Sequence, residues 1–289
     1  MKIDGKAIAD RILNTLADKV VVLKNRGIVP TLAVIQVGDN PSSTTYILQK
    51  KKAADRIGAR IIHTKFPTDV TVDEINKTIE RYNNDVSIHG LIVQHPLPDT
   101  LGKSIVLHSA ILSKDVDGFL QKSPYPVPVA QAVLTILEEV FKGEKEKGNV
   151  NEVSFEVWLK NQPVAVLGRG ETAGKPIFTS LENRGCATSL IHSQTPDPSE
   201  VTKKMTIVVS CVGKERVITK EMVTPKTILI GVGLWRDRGG KLRGDYNEGE
   251  IKDVVAYYTP TPGGVGPVNV SCLMQNVLLA SSSSTYYRS

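Results

Sequence analysis

Pro163-Val164-Ala165-Val166-Leu167-Gly168-Arg169-Gly170-Glu171-Thr172-Ala173-Gly174-Lys175-Pro176 is the stretch on which the fold turns. A short apolar run ends on glycine, and three glycines spaced Gly-x-Gly-x-x-x-Gly lead into a helical pattern. Glycine lets a strand turn tightly into a helix and lets the backbone approach a pyrophosphate, whose charge the free amides of the helix start then meet. The spacing is not the commoner Gly-x-Gly-x-x-Gly, and an ordinary strand-to-helix turn would use similar residues. Its place between a predicted strand and a predicted helix favours the dinucleotide reading.

Outward from this turn the pattern repeats. Toward the C-terminus, Ala187-Thr188-Ser189-Leu190-Ile191, Thr206-Ile207-Val208-Val209 and Thr227-Ile228-Leu229-Ile230 read as further strands. Toward the N-terminus, apolar residues at helical spacing run from Ile8 to Leu23 and stop before Gly27 and Pro30. A strand over Thr31 to Val37, a helix after Asn40-Pro41, a strand at Arg60 to His63, a helix from Asp73 and a strand at Leu91 to Val93 follow. Such alternation predicts two α/β units with parallel sheets. A helix around Ala130 to Phe141, a linker or surface loop over Lys142 to Val150, a last helix from about Val268 to Ala280 and a disordered tail at Ser281 to Ser284 complete the expectation.

The chain has 289 residues, 40% of them hydrophobic and 23% charged, which fits two folded domains and argues against disorder throughout. No apolar run is long enough for a membrane span, and the start at Met1-Lys2-Ile3-Asp4 reads as structure rather than a signal peptide, so a cytoplasmic protein is expected. Cys186, Cys211 and Cys272 are odd in number and set among small or apolar residues, as packed thiols are. The histidines lack metal-ligand spacing, so no metal is expected. The net charge of +6 is scattered, and with only 5% aromatic residues there is no base-stacking platform; acidic small ligands suit it better than nucleic acid.

The second strand of the dinucleotide unit tests cofactor choice. An acid at its end, about 20 residues past the glycines, would hold the ribose 2′-hydroxyl of NAD. Here the strand ends Ile191-His192-Ser193-Gln194-Thr195 without one, while Arg169 and Ser193 are suited to a 2′-phosphate, so NADP is expected. In the other half, Tyr46 and Lys50 share a helix face. Gln94 ends a strand at the edge where open α/β sheets bind ligands. Lys114-Asp115-Val116-Asp117-Gly118-Phe119 sets two carboxylates in a turn, either for a ligand or as an Asx-turn or cap.

Taken in order, these segments resemble the bifunctional methylenetetrahydrofolate dehydrogenase/cyclohydrolase family. The resemblance begins at Ile3-Asp4-Gly5-Lys6-Ala7 and spans nearly the whole chain. It is carried by Tyr46-x-x-x-Lys50, Val93-Gln94-x-Pro96-Leu97-Pro98, Lys114 to Phe119, Gly168-Arg169, His192-Ser193-x-Thr195 and Pro262-Gly263-Gly264-Val265-Gly266-Pro267. It implies an N-terminal α/β catalytic domain (1–140 with 268–289), a Rossmann-like NADP-binding domain (141–267), an active-site cleft between them and a homodimer. The implied reaction is oxidation of 5,10-methylenetetrahydrofolate with NADP, then hydrolysis of the methenyl cation to 10-formyltetrahydrofolate. By the same resemblance Tyr46 stacks on folate, Lys50 serves the hydrolytic step, Gln94 orients Lys50, Asp117 binds the pterin edge and Ser43 helps position water. Pro262, Gly263 and Gly264 join the substrate site. Gly168, Arg169, Gly170, Gly174, His192, Ser193, Thr195, Val212, Gly233 and Asn269 line the cofactor.

The chain departs from the family pattern at Tyr125-Pro126-Val127-Pro128, where Pro-Cys-Thr-Pro is usual, and at His95, where leucine is usual. Gly170 replaces a serine, and Gly231-Val232-Gly233-Leu234-Trp235 replaces Asp-Val-Gly-Ile-Asn. A monofunctional dehydrogenase using NAD or NADP, or a catalytically silent folate- or nucleotide-binding protein, are the alternative readings. Lys50 weighs against the first, and Lys50, Gln94 and Asp117 together weigh against the second.

Overall fold

The computed structural model describes residues 1–98, 101 and 110–283. Contacts divide the chain into two units: Ala9–Pro128 with the chain from Val270 onward, and Met1–Ile8 with Val129–Asn269. This division gives Met1–Ile8, residues 129–140 and Val268–Asn269 to the unit that carries the glycine turn, whereas the boundaries implied by the family resemblance give them to the other.

In the first unit, helix α1 (Gly5–Lys24, whose first residues belong to the second unit) precedes strand β1 (Thr31–Val37), helix α2 (Pro41–Ile57), strand β2 (Arg60–Phe66), helix α3 (Val72–Asn84) and strand β3 (Gly90–Val93). The strands pair in parallel in the order β2-β1-β3. Every residue of β1 is buried, which is why its sequence is nearly continuous apolar rather than alternating. Leu32 and Val34 pack on one side, against α1, α2 and the C-terminal helix through Leu16, Val20, Ile47, Ala54 and Leu273. Ala33, Ile35 and Val37 pack on the other, against Ile75, Ile79 and Tyr82 of α3. Local chemistry sets the helix ends. Asn40 accepts hydrogen bonds from the Ser42 and Ser43 amides to open α2, Gly58 closes it with φ +78, and Thr71 and Glu74 form a reciprocal capping box on α3.

The second unit continues with helices α4 (Pro128–Glu146) and α5 (Phe155–Lys160), strand β4 (Val164–Leu167), helix α6 (Gly174–Glu182), strand β5 (Thr188–Ile191), helix α7 (Pro198–Thr202), strands β6 (Ile207–Ser210) and β7 (Ile228–Gly231), the hairpin β8 (Leu234–Arg236) and β9 (Leu242–Gly244), helix α8 (Glu248–Ile251), strand β10 (Tyr257–Tyr258) and the first residues of helix α9 (Val265–Ser283), which from Val270 onward belongs to the first unit. Its five-stranded sheet is parallel, ordered β10-β7-β6-β4-β5. From β4 the chain goes to β5 on one side and then to β6 on the other, so the strand order reverses between β4 and β6. Open α/β sheets bind their ligands at such a point, outside the strands' C-terminal ends.

Two expectations are corrected. Lys142 to Glu146 continue α4 rather than forming a loop. Glu144 and Lys147 bind the Tyr257 hydroxyl of β10, and Phe141 packs against Phe155 and Trp158 of α5 at ring separations of 5.8 and 5.5 Å, so tertiary contacts hold a segment whose charge reads as linker. Ser281 to Ser283 belong to α9 rather than to a disordered tail; Ser284 lies outside the described residues. The Ser281 and Ser282 hydroxyls donate to Leu278 O and that of Ser283 to Leu279 O, returning to the preceding turn, and Ser281 is buried. Among the described residues no helix is long and apolar enough to cross a membrane.

Candidate functional site

Helix α2 carries Ser43, Tyr46 and Lys50 at positions i, i+3 and i+7, so all three lie along one face. Ser43 and Lys50 are buried and Tyr46 is half-buried. At the C-terminal end of β3, Gln94 is fixed by its backbone, whose amide donates to Ile35 O at 2.8 Å. The Lys50 ammonium donates to Gln94 Oε1 at 2.9 Å, and the Gln94 amide nitrogen donates to His95 O at 2.9 Å. Ser43 Oγ donates to the same His95 carbonyl at 3.1 Å. One peptide after β3 thus ties together Ser43 and Gln94, and through Gln94 also Lys50.

The two carboxylates of Lys114 to Phe119 have different work. Asp115 accepts from the amides of Leu120 at 2.9 Å and Phe119 at 3.4 Å, and its own carbonyl accepts from Ser123 Oγ, so it shapes the loop. Lys114 is buried with its ammonium on the carbonyls of Tyr82 and Asp85, capping the end of α3. Gly118 has φ +70, and a Cβ there would lie 2.6 Å from Tyr125 O. Among the described residues no hydrogen-bond donor reaches the Asp117 carboxylate, which interacts electrostatically with Lys50. Asp117, Asp115, His95 and Phe119 line one recess with the apolar side chains of β3. Burial pushes the Lys50 ammonium below the ordinary lysine range, opposed by the negative charge of Asp117. Burial likewise raises the Asp117 carboxyl, opposed by Lys50 and reinforced by Asp115. Tyr46 is raised by burial alone.

In the second unit the glycine turn is tightly packed. Gly168 follows β4 with φ +101, and a Cβ there would lie 2.9 Å from Cys211 O. Gly174 begins α6 so close to Gly168 that a Cβ would fall 1.9 Å from Gly168 O. These two glycines permit the tight turn and the close packing of helix on strand; Gly170 has open space around it. The neighbouring strand ends pair Leu167 with Ile191, so Gly168-Arg169 and His192-Ser193 leave the sheet side by side, with Arg169 and Ser193 exposed. Thr195 Oγ1 accepts from the His192 amide at 3.0 Å and closes that second turn. Val212 follows β6 and is exposed; Gly233 is buried after β7, and Asn269 lies half-buried in α9. Gly264 is also packed shut, its Cβ position 2.6 Å from Pro260 O, while Gly263 takes φ +103 beside Lys6 and Pro262 follows a cis peptide bond.

The comparisons with known proteins bear on both units. Residues 3–117 match the model of the tetrahydrofolate dehydrogenase/cyclohydrolase catalytic domain, and residues 151–285 that of the NAD(P)-binding domain of the same family. The chain belongs to the tetrahydrofolate dehydrogenase/cyclohydrolase family. It is 37% identical to the bifunctional protein FolD of Bacillus velezensis, covering 96% of this chain and 95% of that protein. The bifunctional FolD structure from Campylobacter jejuni superposes with a TM-score of 0.88 at 32% identity, over 98% of this chain and 99% of that one. A Trypanosoma brucei FolD, solved with NADP and an inhibitor, gives 0.87 at 31% identity, over 100% and 99% of the two chains.

Against the family pattern, the structure gives one departure a physical reason. At Gly231, where aspartate is usual, a Cβ would lie 2.9 Å from the Tyr246 ring, and the Tyr246 hydroxyl bonds to Thr259, whose own hydroxyl accepts from the Gly231 amide. An aromatic side chain occupies that space, so only glycine fits. Residues that sequence reasoning passed over are Asp245, Asn276 and Tyr246. Each acts through partners distant in sequence, which spacing cannot display.

Proposed function

We infer that the family's two activities run in this chain on Lys50, Gln94 and Asp117 with NADP held by the second unit. The enzyme oxidises 5,10-methylenetetrahydrofolate to the 5,10-methenyl cation and hydrolyses that cation to 10-formyltetrahydrofolate. The observation that carries the residue assignment is the hydrogen bond at 2.9 Å between the buried Lys50 and the half-buried Gln94, with Asp117 in electrostatic reach. Gln94 Oε1 accepts a hydrogen bond from Lys50 and fixes the amine, and burial favours the neutral form of the amine, so Lys50 can take a proton from the water that adds to the methenyl carbon. A cation bound beside the amine would press its pKa in the same direction. Ser43 shares the His95 carbonyl with Gln94, which suits it to hold that water; Tyr46 offers its ring to the pterin. Among the described residues no donor reaches the Asp117 carboxylate, which suits it to accept from the pterin amide and amine.

When bound, NADP supplies the hydride acceptor. The Gly168 and Gly174 positions, which a Cβ would fill, fit its pyrophosphate, with Gly170 between them; Arg169 and Ser193 suit the 2′-phosphate, and the turn from His192 to Thr195 is the neighbouring wall. Val212, Gly233 and Asn269 complete the cofactor set, and Pro262, Gly263 and Gly264 belong to the folate site. The reading is completed by a cytoplasmic homodimer acting on free tetrahydrofolate derivatives without nucleic acid or membrane. Steady-state assays of the parent and of Lys50→Met, a change that keeps volume and helix propensity, test the assignment. Hydrolysis of the methenyl compound should fall by about a hundredfold or more, in line with loss of a general base, with circular dichroism unchanged. Hydrolysis within a few-fold of the parent would sink it.

A further inference from the structure

The loop that leaves β6 at the sheet's switch point closes on a carboxylate from far along the chain. Ser210 Oγ and the Val212 amide donate to Asp245 Oδ2 at 2.6 and 2.9 Å, and the amides of Gly213 and Lys214 donate to Oδ1 at 2.7 and 3.0 Å. Asp245 is wholly buried just after β9. Three successive amides aimed at one point form an anion site, and here the chain fills it with its own side chain.

Two glycines fit round this clasp. A Cβ on Gly233 would fall 2.2 Å from Asp245 Oδ2 and 2.4 Å from the Gly213 nitrogen, so Gly233 is glycine because Asp245 occupies the space. On the other side of the loop, Gly168 of the dinucleotide turn rests on Cys211 O. The loop from Cys211 to Lys214 is therefore packed between the clasp and the glycine turn, and it forms the β6 wall of the crevice between the ends of β4 and β6.

We propose that Asp245 is a positioning residue for the dinucleotide: by gathering Ser210 and the three amides it sets the wall against which the cofactor lies and presents Val212 to it. The proposal rests on the reading that this crevice holds NADP. Because the clasp uses up the amides of Val212, Gly213 and Lys214, the pyrophosphate is left to the turn from Gly168 to Gly174.

The test measures NADP binding by calorimetry and methenyl hydrolysis without NADP, in the parent, Asp245→Asn and Ser210→Ala. Asp245→Asn turns one of the two acceptor oxygens into a donor facing donors. It should weaken NADP about tenfold or more while hydrolysis stays within about twofold, a split that general loss of structure would not give. Ser210→Ala removes one of four donors and should weaken NADP about threefold. NADP affinity unchanged in folded Asp245→Asn, or falling in step with hydrolysis, would overturn the proposal. Should Asp245→Asn not fold, Ser210→Ala decides by the same criterion. A parent that takes up no NADP would overturn the cofactor reading, and the clasp's role with it.

Discussion

Lys50 and Asp117 interact with opposite charge, yet burial drives each toward its neutral form. For a lysine acting as base, only the neutral amine works, so the rate rises with pH through its pKa and then levels. An ordinary lysine would not level until about pH 10.4. The lowered Lys50 pKa brings the plateau to lower pH, and Asp117→Asn, by removing the charge that holds the proton, should move it lower still. The pH profile of methenyl hydrolysis, corrected for the reaction in buffer alone, reads both effects. A profile of the parent still climbing at the ordinary lysine pKa would mean that Lys50 is not the base. The same contrast separates Asp115 from Asp117 two residues away. Asp115 has its carboxylate filled by loop amides, whereas Asp117 keeps its acceptor capacity for a ligand.

At the scale of elements, α2 matters because one helix supplies Ser43, Tyr46 and Lys50, and its first turn is set by Asn40. The Asn40 side chain takes the amides of Ser42 at 2.9 Å and Ser43 at 3.0 Å, and Pro41 needs no partner for a missing N–H. Asn40→Ala should lower the unfolding free energy by about 1 kcal/mol in urea titrations, and Asn40→Asp should restore most of it. Because Ser43 sits in the released turn, the folate KM should rise a few-fold in the alanine variant. A stability loss without any change in KM would separate the cap from the site. The loop after β6 shows the same economy in the second unit, where a single buried carboxylate orders four donors.

For the molecule as a whole, α9 illustrates what long-range contact contributes. Asn276 is buried and donates to Val116 O and Pro126 O, both at 2.8 Å, holding the two ends of the loop that carries Asp117 from a helix about 150 residues away along the chain. Asn276→Leu keeps helix propensity but leaves both carbonyls short of a donor, so the folded state should lose about 1–3 kcal/mol in denaturant titrations. A loss below about 0.5 kcal/mol would mean that water replaces the amide. The sequence by itself determined the alternation of strands and helices, the two parallel α/β units, the glycine turn after β4 and the residue types of the candidate site. Those features are written in local periodicity, in glycines that no other residue can replace, and in motifs a few residues long. Only the tertiary structure decided that Asp115 shapes a loop while Asp117 faces a recess, that Gly231 answers Tyr246 and Gly233 answers Asp245, and that polar segments such as Lys142 to Glu146 and Ser281 to Ser283 are helical. Each of these turns on which atoms from distant parts of the chain occupy the same space, and packing settles that where spacing along the sequence carries no trace of it.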